Sequence, residues 1–210
     1  RAAVWKLVAE LRRLGVDVVS EERRGYRLQH ACELLDAHRI LVAATAGGEA
    51  LPGELEVLFS IDSTNEYLYT AQAIRAGHPR VVFAEIQRAG RGRRGRTWLA
   101  PFGSGLTFSV GWTYPEVPAD LSALSLAMGV QVANALRDSG AGETMLKWPN
   151  DVVWRHRKLG GLLIQLKLEA GGAASVVVGL GLNVALPADA RECLATSGAA
   201  PVADLREALG

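Results

Sequence analysis

Between Arg88 and Arg96 the chain packs five arginines and three glycines into one run, Arg88-Ala89-Gly90-Arg91-Gly92-Arg93-Arg94-Gly95-Arg96, with Thr97-Trp98 directly after it. Glycines let a backbone turn sharply and approach a ligand closely, and guanidinium forks supply planar, charge-assisted hydrogen bonds to carboxylate and phosphate oxygens. The residues on either side constrain where such a segment can sit. Before it, Val81-Val82-Phe83-Ala84-Glu85-Ile86 reads as a buried strand. After it, Leu106, Phe108, Val110 and Trp112 alternate with Thr107, Ser109 and Gly111 as in a strand with one buried face. The arginines therefore hang from rigid elements of a sheet. The alternative is a solvated surface loop or an RNA-binding arginine-glycine tract, but a disordered tract would lie in low-complexity sequence without flanking hydrophobic structure. A loop closing over a small anionic ligand is the expectation.

The rest of the composition treats that charge as local. The chain has 210 residues, 49% hydrophobic and 21% charged, with a net charge of +1, enough for one large domain and a small appendage and without the broad basic excess of a nucleic-acid-tracking surface. No apolar run is long enough for a bilayer and no signal-peptide pattern opens the chain, so a soluble cytoplasmic protein is expected. Cys32 and Cys193, and His30, His38, His78 and His156, are too scattered for a disulfide framework or a metal-type spacing. No structural metal is expected.

Along the chain, Val4, Leu7, Val8, Leu11 and Leu14 keep one helical face apolar up to Gly15. Val16–Ser20 and Gly25–Leu28 then read as two short strands around the turn Glu21-Glu22-Arg23-Arg24. A helix followed by a tight hairpin matches the back half of a winged helix-turn-helix. A second helix is expected from Ala31 to Ile40, then a loop at Gly47-Gly48 and Pro52-Gly53, and a strand from Leu55 to Ile61. Asp62-Ser63-Thr64-Asn65-Glu66 opens a helix reaching about Ala76, with Ser63 and Glu66 spaced as a capping box. Such a helix start also offers free N–H groups and small hydroxyls to a neutral polar ring such as a urea. Leu121, Leu124, Met128, Val132 and Leu136 mark a long amphipathic helix closed by Gly140 or Gly142.

Polar residues then appear where apolar runs are interrupted. Lys147-Trp148-Pro149-Asn150-Asp151 lies at a proline-broken junction, where side chains can turn toward a cleft. Lys158-Leu159-Gly160-Gly161 follows a charged turn and leads into the strand Leu162–Leu168. In Val176–Asn183, Gly179 and Gly181 interrupt a strand, which is accounted for by a ligand pressed against the sheet.

Taken in order, the segment Gly90–Arg96 with Trp98, then Lys147-Trp148-Pro149-Asn150-Asp151, Lys158-Leu159-Gly160-Gly161 and Gly179-Leu180-Gly181-Leu182-Asn183 resemble the motif set of biotin protein ligases. The opening segment is similar to the DNA-reading domain of the bifunctional members, which also act as the biotin operon repressor. The resemblance implies an α/β (α+β) fold like that of class II aminoacyl-tRNA synthetases, with a mixed, largely antiparallel sheet backed by helices. The catalytic domain would span 29–210, behind a partial winged helix-turn-helix at 1–28 and without the small C-terminal β-barrel of such ligases.

The chemistry it implies is adenylation of biotin by MgATP, giving biotinyl-5′-AMP and pyrophosphate, then transfer of the biotinyl group to a lysine of the biotin carboxyl carrier protein of acetyl-CoA carboxylase. Ser63, Thr64, Gln87, Gly90, Arg91, Lys158, Gly179 and Gly181 are the implied biotin-binding residues. Arg93, Arg96, Trp98, Lys147, Asn150 and Asn183 would attend ATP or the adenylate, with Trp98 covering the adenine. Lys158, Arg91 and Lys147 form the catalytic set, because a carboxylate and a triphosphate repel and need cations around both. Biotin, ATP and Mg²⁺ are the small-molecule requirements, and a lid that orders on binding would shield the adenylate from water. The resemblance allows for a homodimer, implies operator DNA only for a complete parent protein, and implies no membrane. Two other classes remain open. A DNA-binding regulator would leave the lysine motifs and the glycine strand unused, and a lipoyl or octanoyl transferase shares the fold but is not marked by the arginine-glycine loop.

Overall fold

The computed structural model of the protein describes residues 2–29, 33–46, 53–71, 74–168 and 172–210. His30, Ala31, Cys32, Gly47, Gly48 and Pro52, on which several expectations fall, lie outside the described residues.

The chain opens with α1 (Ala2–Arg13) and a hairpin of β1 (Val18–Glu21) and β2 (Gly25–Leu28). Gly15, at φ +86°, follows the helix end as its place predicts. The first strand starts later than the apolar run because Val16 N–H closes the helix end on Leu11 O at 2.9 Å. Val8, Val16 and Val18 form a small core with Leu11 and Phe102 packed on it. Val4 and Leu7, expected on the same buried stripe, are exposed, since the short hairpin covers only part of the helix.

There follow α2 (Ala37–Thr45), β3 (Glu54–Ile61), α3 (Thr64–Thr70), β4 (Arg80–Gln87), β5 (Gly105–Tyr114) and α4 (Leu124–Asp138). The remainder is β6 (Thr144–Lys147), β7 (Asp151–Trp154), β8 (Arg157–Leu168), β9 (Ala174–Asn183), α5 (Ala188–Thr196) and α6 (Leu205–Leu209). Two expected helices shift. α2 begins at Ala37 because Asp36 caps it, its carboxylate accepting from Arg39 N–H at 2.7 Å. α3 stops at Thr70, short of Ala76: the backbone extends at Ala71 (ψ 157°), and Ile74 O accepts from Thr113 Oγ1 of the sheet. The strand expected from Leu162 begins earlier, so that Lys158 is the second residue of β8.

Seven strands make one sheet in the order β3-β4-β5-β9-β8-β7-β6. β3 and β4 run parallel through α3, and every other pairing is antiparallel, so the sheet is mixed and largely antiparallel as expected. On β9, Val176, Val178, Leu180 and Leu182 join the main core with Leu124, Met128, Val132 and Leu136 of α4, whereas Val177 joins Leu68 of α3. Successive strand residues point to opposite faces, so α4 and α3 cover the two sides of the sheet.

This double cover corrects the reading of β5. Thr107, Ser109 and Gly111, the small residues of the alternation, are the buried ones, while Leu106, Phe108, Val110 and Trp112 are half-buried. The close approach of α3 and its exit segment explains why: a Cβ on Gly111 would stand 2.4 Å from Ile74 Cδ1. The sheet has to carry small side chains on that face, and two of them bear hydroxyls.

Candidate active site

The start of α3, the loop after β4, the β6–β7 junction and the middle of β8 and β9 converge on one cleft of about 450 Å³, counted to its open mouth. The structure brings Ser63, Thr64, Gln87, Arg91, Arg93, Trp98, Asn150, Lys158, Gly179 and Gly181 together around it, from segments far apart in the chain.

Ser63 caps α3, its Oγ accepting from Glu66 N–H at 3.4 Å. The capping box is half formed, because the Glu66 carboxylate reaches outward and pairs with Arg91 Nη1 at 2.7 Å. Behind Ser63 lies a buried polar chain. Thr64 N–H donates to Gln87 Oε1 (2.9 Å), Thr64 Oγ1 lies 2.8 Å from Ser109 Oγ, Ser109 donates to Asn65 Oδ1 (2.7 Å), and Asn65 Nδ2 donates to Gln165 Oε1 (2.8 Å) and Leu163 O (3.2 Å). Thr64, Asn65 and Ser109 are at most 3% exposed. A buried polar group without a partner costs about 1–3 kcal/mol, so these contacts are obligatory for one another.

The arginine-glycine segment is a folded turn. Arg91 bridges Thr97, Gly92 N–H donates to Arg96 O (2.6 Å), and Trp98 N–H donates to Gly90 O (2.8 Å). Arg94 and Gly95, at φ +58° and +73°, reverse the chain between them. Its side-chain tethers to the rest of the protein, among the described residues, are Arg88 to Asp62 (2.9 Å), Arg91 to Glu66, and Arg93 Nη1 to Asn150 Oδ1 (3.0 Å). Exposed contacts of this kind are worth about 0–1 kcal/mol each, so the turn can be displaced at small cost.

Lys158 is held at both ends. Its Nζ pairs with Asp151 Oδ1 at 2.8 Å and lies 5.7 Å from the Trp98 ring. Its N–H donates to Pro201 O (2.7 Å), and its carbonyl accepts from Ala203 N–H (2.9 Å) and Asn183 Nδ2 (3.3 Å). A Cβ on Gly161 would stand 3.4 Å from Lys158 Nζ and 3.5 Å from Asp151 Oδ1, in ordinary contact with the ion pair. Asn150 is fixed in turn, donating from Nδ2 to Leu162 O at 2.7 Å.

Gly179 and Gly181 line the cleft, yet protein side chains already account for them. A Cβ on Gly179 would stand 2.1 Å from Asn65 Oδ1, and one on Gly181 2.3 Å from Trp98 Cε2. Trp98 lies on the sheet there with its Nε1 buried and unpaired.

Four expected site residues lie outside the cleft. Gly90 closes the base of the loop, where a Cβ would stand 2.5 Å from Trp98 O. Arg96 contributes its backbone to the turn and leaves its side chain exposed. Lys147 ends β6, exposed, opposite Asp151. Asn183 is 4% exposed and spends its amide on Lys158 O and on Ala203 O (3.0 Å), which places it behind Lys158. Residues that sequence reasoning did not assign to the site are Asn65, Ser109, Gln165, Glu66 and Asp151. Asn65 and Glu66 stood in the polar helix start, and Asp151 in the proline junction. Ser109 and Gln165 carried no signal, since a polar residue in an alternating strand reads as solvent-facing.

A profile of the biotin/lipoate A/B protein ligase family matches residues 57–183, from β3 to the end of β9. The chain belongs to this family. It is similar to the bifunctional ligase/repressor BirA of Escherichia coli, 42% identical over 187 residues that cover 89% of this chain and 56% of that protein. It also matches the biotin–[acetyl-CoA-carboxylase] ligase of Mycobacterium tuberculosis, 40% identical over 62% of this chain and 49% of that protein. Among solved structures, the biotin protein ligase of Aquifex aeolicus in complex with biotin and ATP superposes with a TM-score of 0.58 at 31% identity, covering 75% of this chain and 61% of that one. The chain spans about half the length of the curated relatives it matches.

Proposed function

We propose that the chain is the catalytic portion of a biotin protein ligase, which adenylates biotin with MgATP and passes the biotinyl group to a lysine of a biotin carboxyl carrier protein. The observation that carries this reading is Lys158. One ammonium group shares a single cleft with the polar start of α3 and the arginine turn, and Phe108, Leu162, Leu163 and Leu180 add apolar wall to it.

In the first step a biotin carboxylate oxygen bonds to the α-phosphorus of ATP and the bond to the pyrophosphate leaving group breaks. Such transfers ask mainly for positioning and charge stabilisation. Lys158 would bridge the carboxylate and the α-phosphate, with Asp151 keeping it aimed until the anions arrive. Arg91 and Arg93 add positive charge from the turn, and the Mg²⁺ comes with the nucleotide as part of the substrate. Lys147 and Arg96, exposed outside the cleft, would meet the outer phosphates. In the second step a carrier lysine amine attacks the acyl carbon, AMP leaves, and the amine proton passes to solvent.

The ureido ring would lie at the Ser63-Thr64 and Gln87 end against Gly179. Trp98, whose resting place leaves its N–H unpaired, would move onto the adenine when a ligand takes its position over Gly181. The weak tethers of the arginine turn suit a lid that opens for substrates and closes over the mixed anhydride. In the same reading the segment over 1–28 belongs to a DNA-binding unit, and the enzyme is cytoplasmic. Among the described residues no helix is long and apolar enough to cross a membrane.

Calorimetry with biotin, with and without MgATP, tests the assignment, together with pyrophosphate release from MgATP on adding biotin, lipoate or octanoate. Heat of binding and pyrophosphate only with biotin are expected. Pyrophosphate with lipoate or octanoate and none with biotin would replace this reading with the neighbouring acyl-transfer chemistry.

A further inference from the structure

The hydrogen bonds behind Thr64 determine which way its hydroxyl points, and with it the chemistry of the closed end of the cleft. Leu163 O is a backbone carbonyl and can only accept, so the Asn65 atom 3.2 Å from it is the amide nitrogen, which also donates to Gln165 Oε1 at 2.8 Å. Asn65 Oδ1 consequently faces Ser109 Oγ at 2.7 Å, and Ser109 spends its single hydroxyl hydrogen there. Ser109 Oγ also lies 2.8 Å from Thr64 Oγ1. With its hydrogen committed, Ser109 can only accept in that contact, and Thr64 donates. The other acceptor within reach of that hydrogen, Gln87 Oε1, is farther at 3.2 Å and already receives Thr64 N–H at 2.9 Å. Thr64 Oγ1 is left with lone pairs and no hydrogen for a ligand. Ser109 is fully buried and Thr64 and Asn65 are 3% exposed, so solvent does not rewrite these assignments.

We propose that Ser109, oriented by Asn65, is a positioning residue that holds Thr64 Oγ1 as an acceptor, so that the cleft selects a ring presenting an N–H at this point over one presenting an acceptor. The proposal rests on the biotin reading and adds the residue that enforces its selectivity. Without the Ser109 hydroxyl, Thr64 is free to rotate and donate into the cleft, and a ring oxygen becomes acceptable where an N–H was required.

The test measures binding of biotin and of its two carbamate analogues, each with one ureido N–H replaced by oxygen, to the full chain by calorimetry. The unmutated protein is expected to prefer biotin over one of the two analogues by at least about tenfold, and Ser109→Ala to shrink that preference to within about threefold, as one hydrogen bond exchanged for another allows. A merely structural role for Ser109 would weaken all three ligands together and leave the preference intact, which would overturn the proposal. So would an unmutated protein that binds all three alike. A protein that binds none of the three overturns the biotin reading itself, and this inference with it. If circular dichroism shows Ser109→Ala unfolded, Thr64→Ser and Thr64→Val decide: serine keeps the preference and valine loses it, and equal preference in both overturns the proposal.

Discussion

Arg93 Nη1 donates to Asn150 Oδ1 at 3.0 Å, joining the arginine turn to the proline junction across the cleft, 57 residues further along the chain. Asn150 is itself fixed to Leu162 O, so the bond ties a displaceable loop to an immobile post. Its loss should act on the loop and leave the sheet untouched.

Arg93→Gly is therefore expected to keep the fold and release adenylate into solution about fivefold faster, the effect of one lost hydrogen bond near 1 kcal/mol. Single-turnover adenylate synthesis followed by filtration reads the escape rate. Retention at the unmutated rate would remove the lid role from Arg93.

Lys158→Ala separates chemistry from binding. The charge on the α-phosphate grows in the transition state, whereas the biotin ring is held elsewhere in the cleft. Adenylation should slow by about 10²–10³ and biotin affinity should fall by less than about tenfold. Comparable losses in both would refute this division.

Gly179→Ala drives a methyl group into Asn65 Oδ1, 2.1 Å from the Cβ position, at a point where the polar chain cannot yield. A loss of about 1–3 kcal/mol in urea unfolding is expected. Gly142→Ala, with nothing within 4 Å of its Cβ, serves as the control and should be nearly neutral. Equal stability of the two variants would show that Asn65 can move.

Glu143 offers a pH test away from the cleft. Arg155 Nε donates to its carboxylate at 2.8 Å, and this hydrogen bond, with the attraction between the charges, holds the Glu143 carboxyl below the usual glutamate range. The folded value lies below the unfolded one, so the pair stabilises the protein above the unfolded glutamate pKa and that contribution fades as pH falls through the folded value. Carboxyl NMR titration should show the Glu143 midpoint rise in Arg155→Ala. An unmoved midpoint would contradict the pairing.

Much of the architecture was legible residue by residue. The strands around the arginine turn, the long helix with its Leu124, Met128 and Val132 stripe, and the cap at Ser63 depend on contacts a few residues apart, which periodicity and local hydrogen bonding report directly. The helix limits were less legible. α2 waited for Asp36, and α3 ended early where Ile74 O met Thr113 of a distant strand.

The order of amino acids by itself determined the sheet-forming runs, the loop that must carry clustered charge without bulk, and the motif set that ties the chain to its family. Only the tertiary structure decided why Gly179 and Gly181 are glycines, why β5 buries its polar face, that Asn183 stands behind Lys158, and that Asn65 and Ser109 back Thr64. Each of these depends on atoms brought into contact across strands or helices that are tens of residues apart, as with Asn65 and Gln165 at a separation of 100. Hydrogen bonds and close contacts at that range exist only once the strands are in register, and no local pattern encodes them.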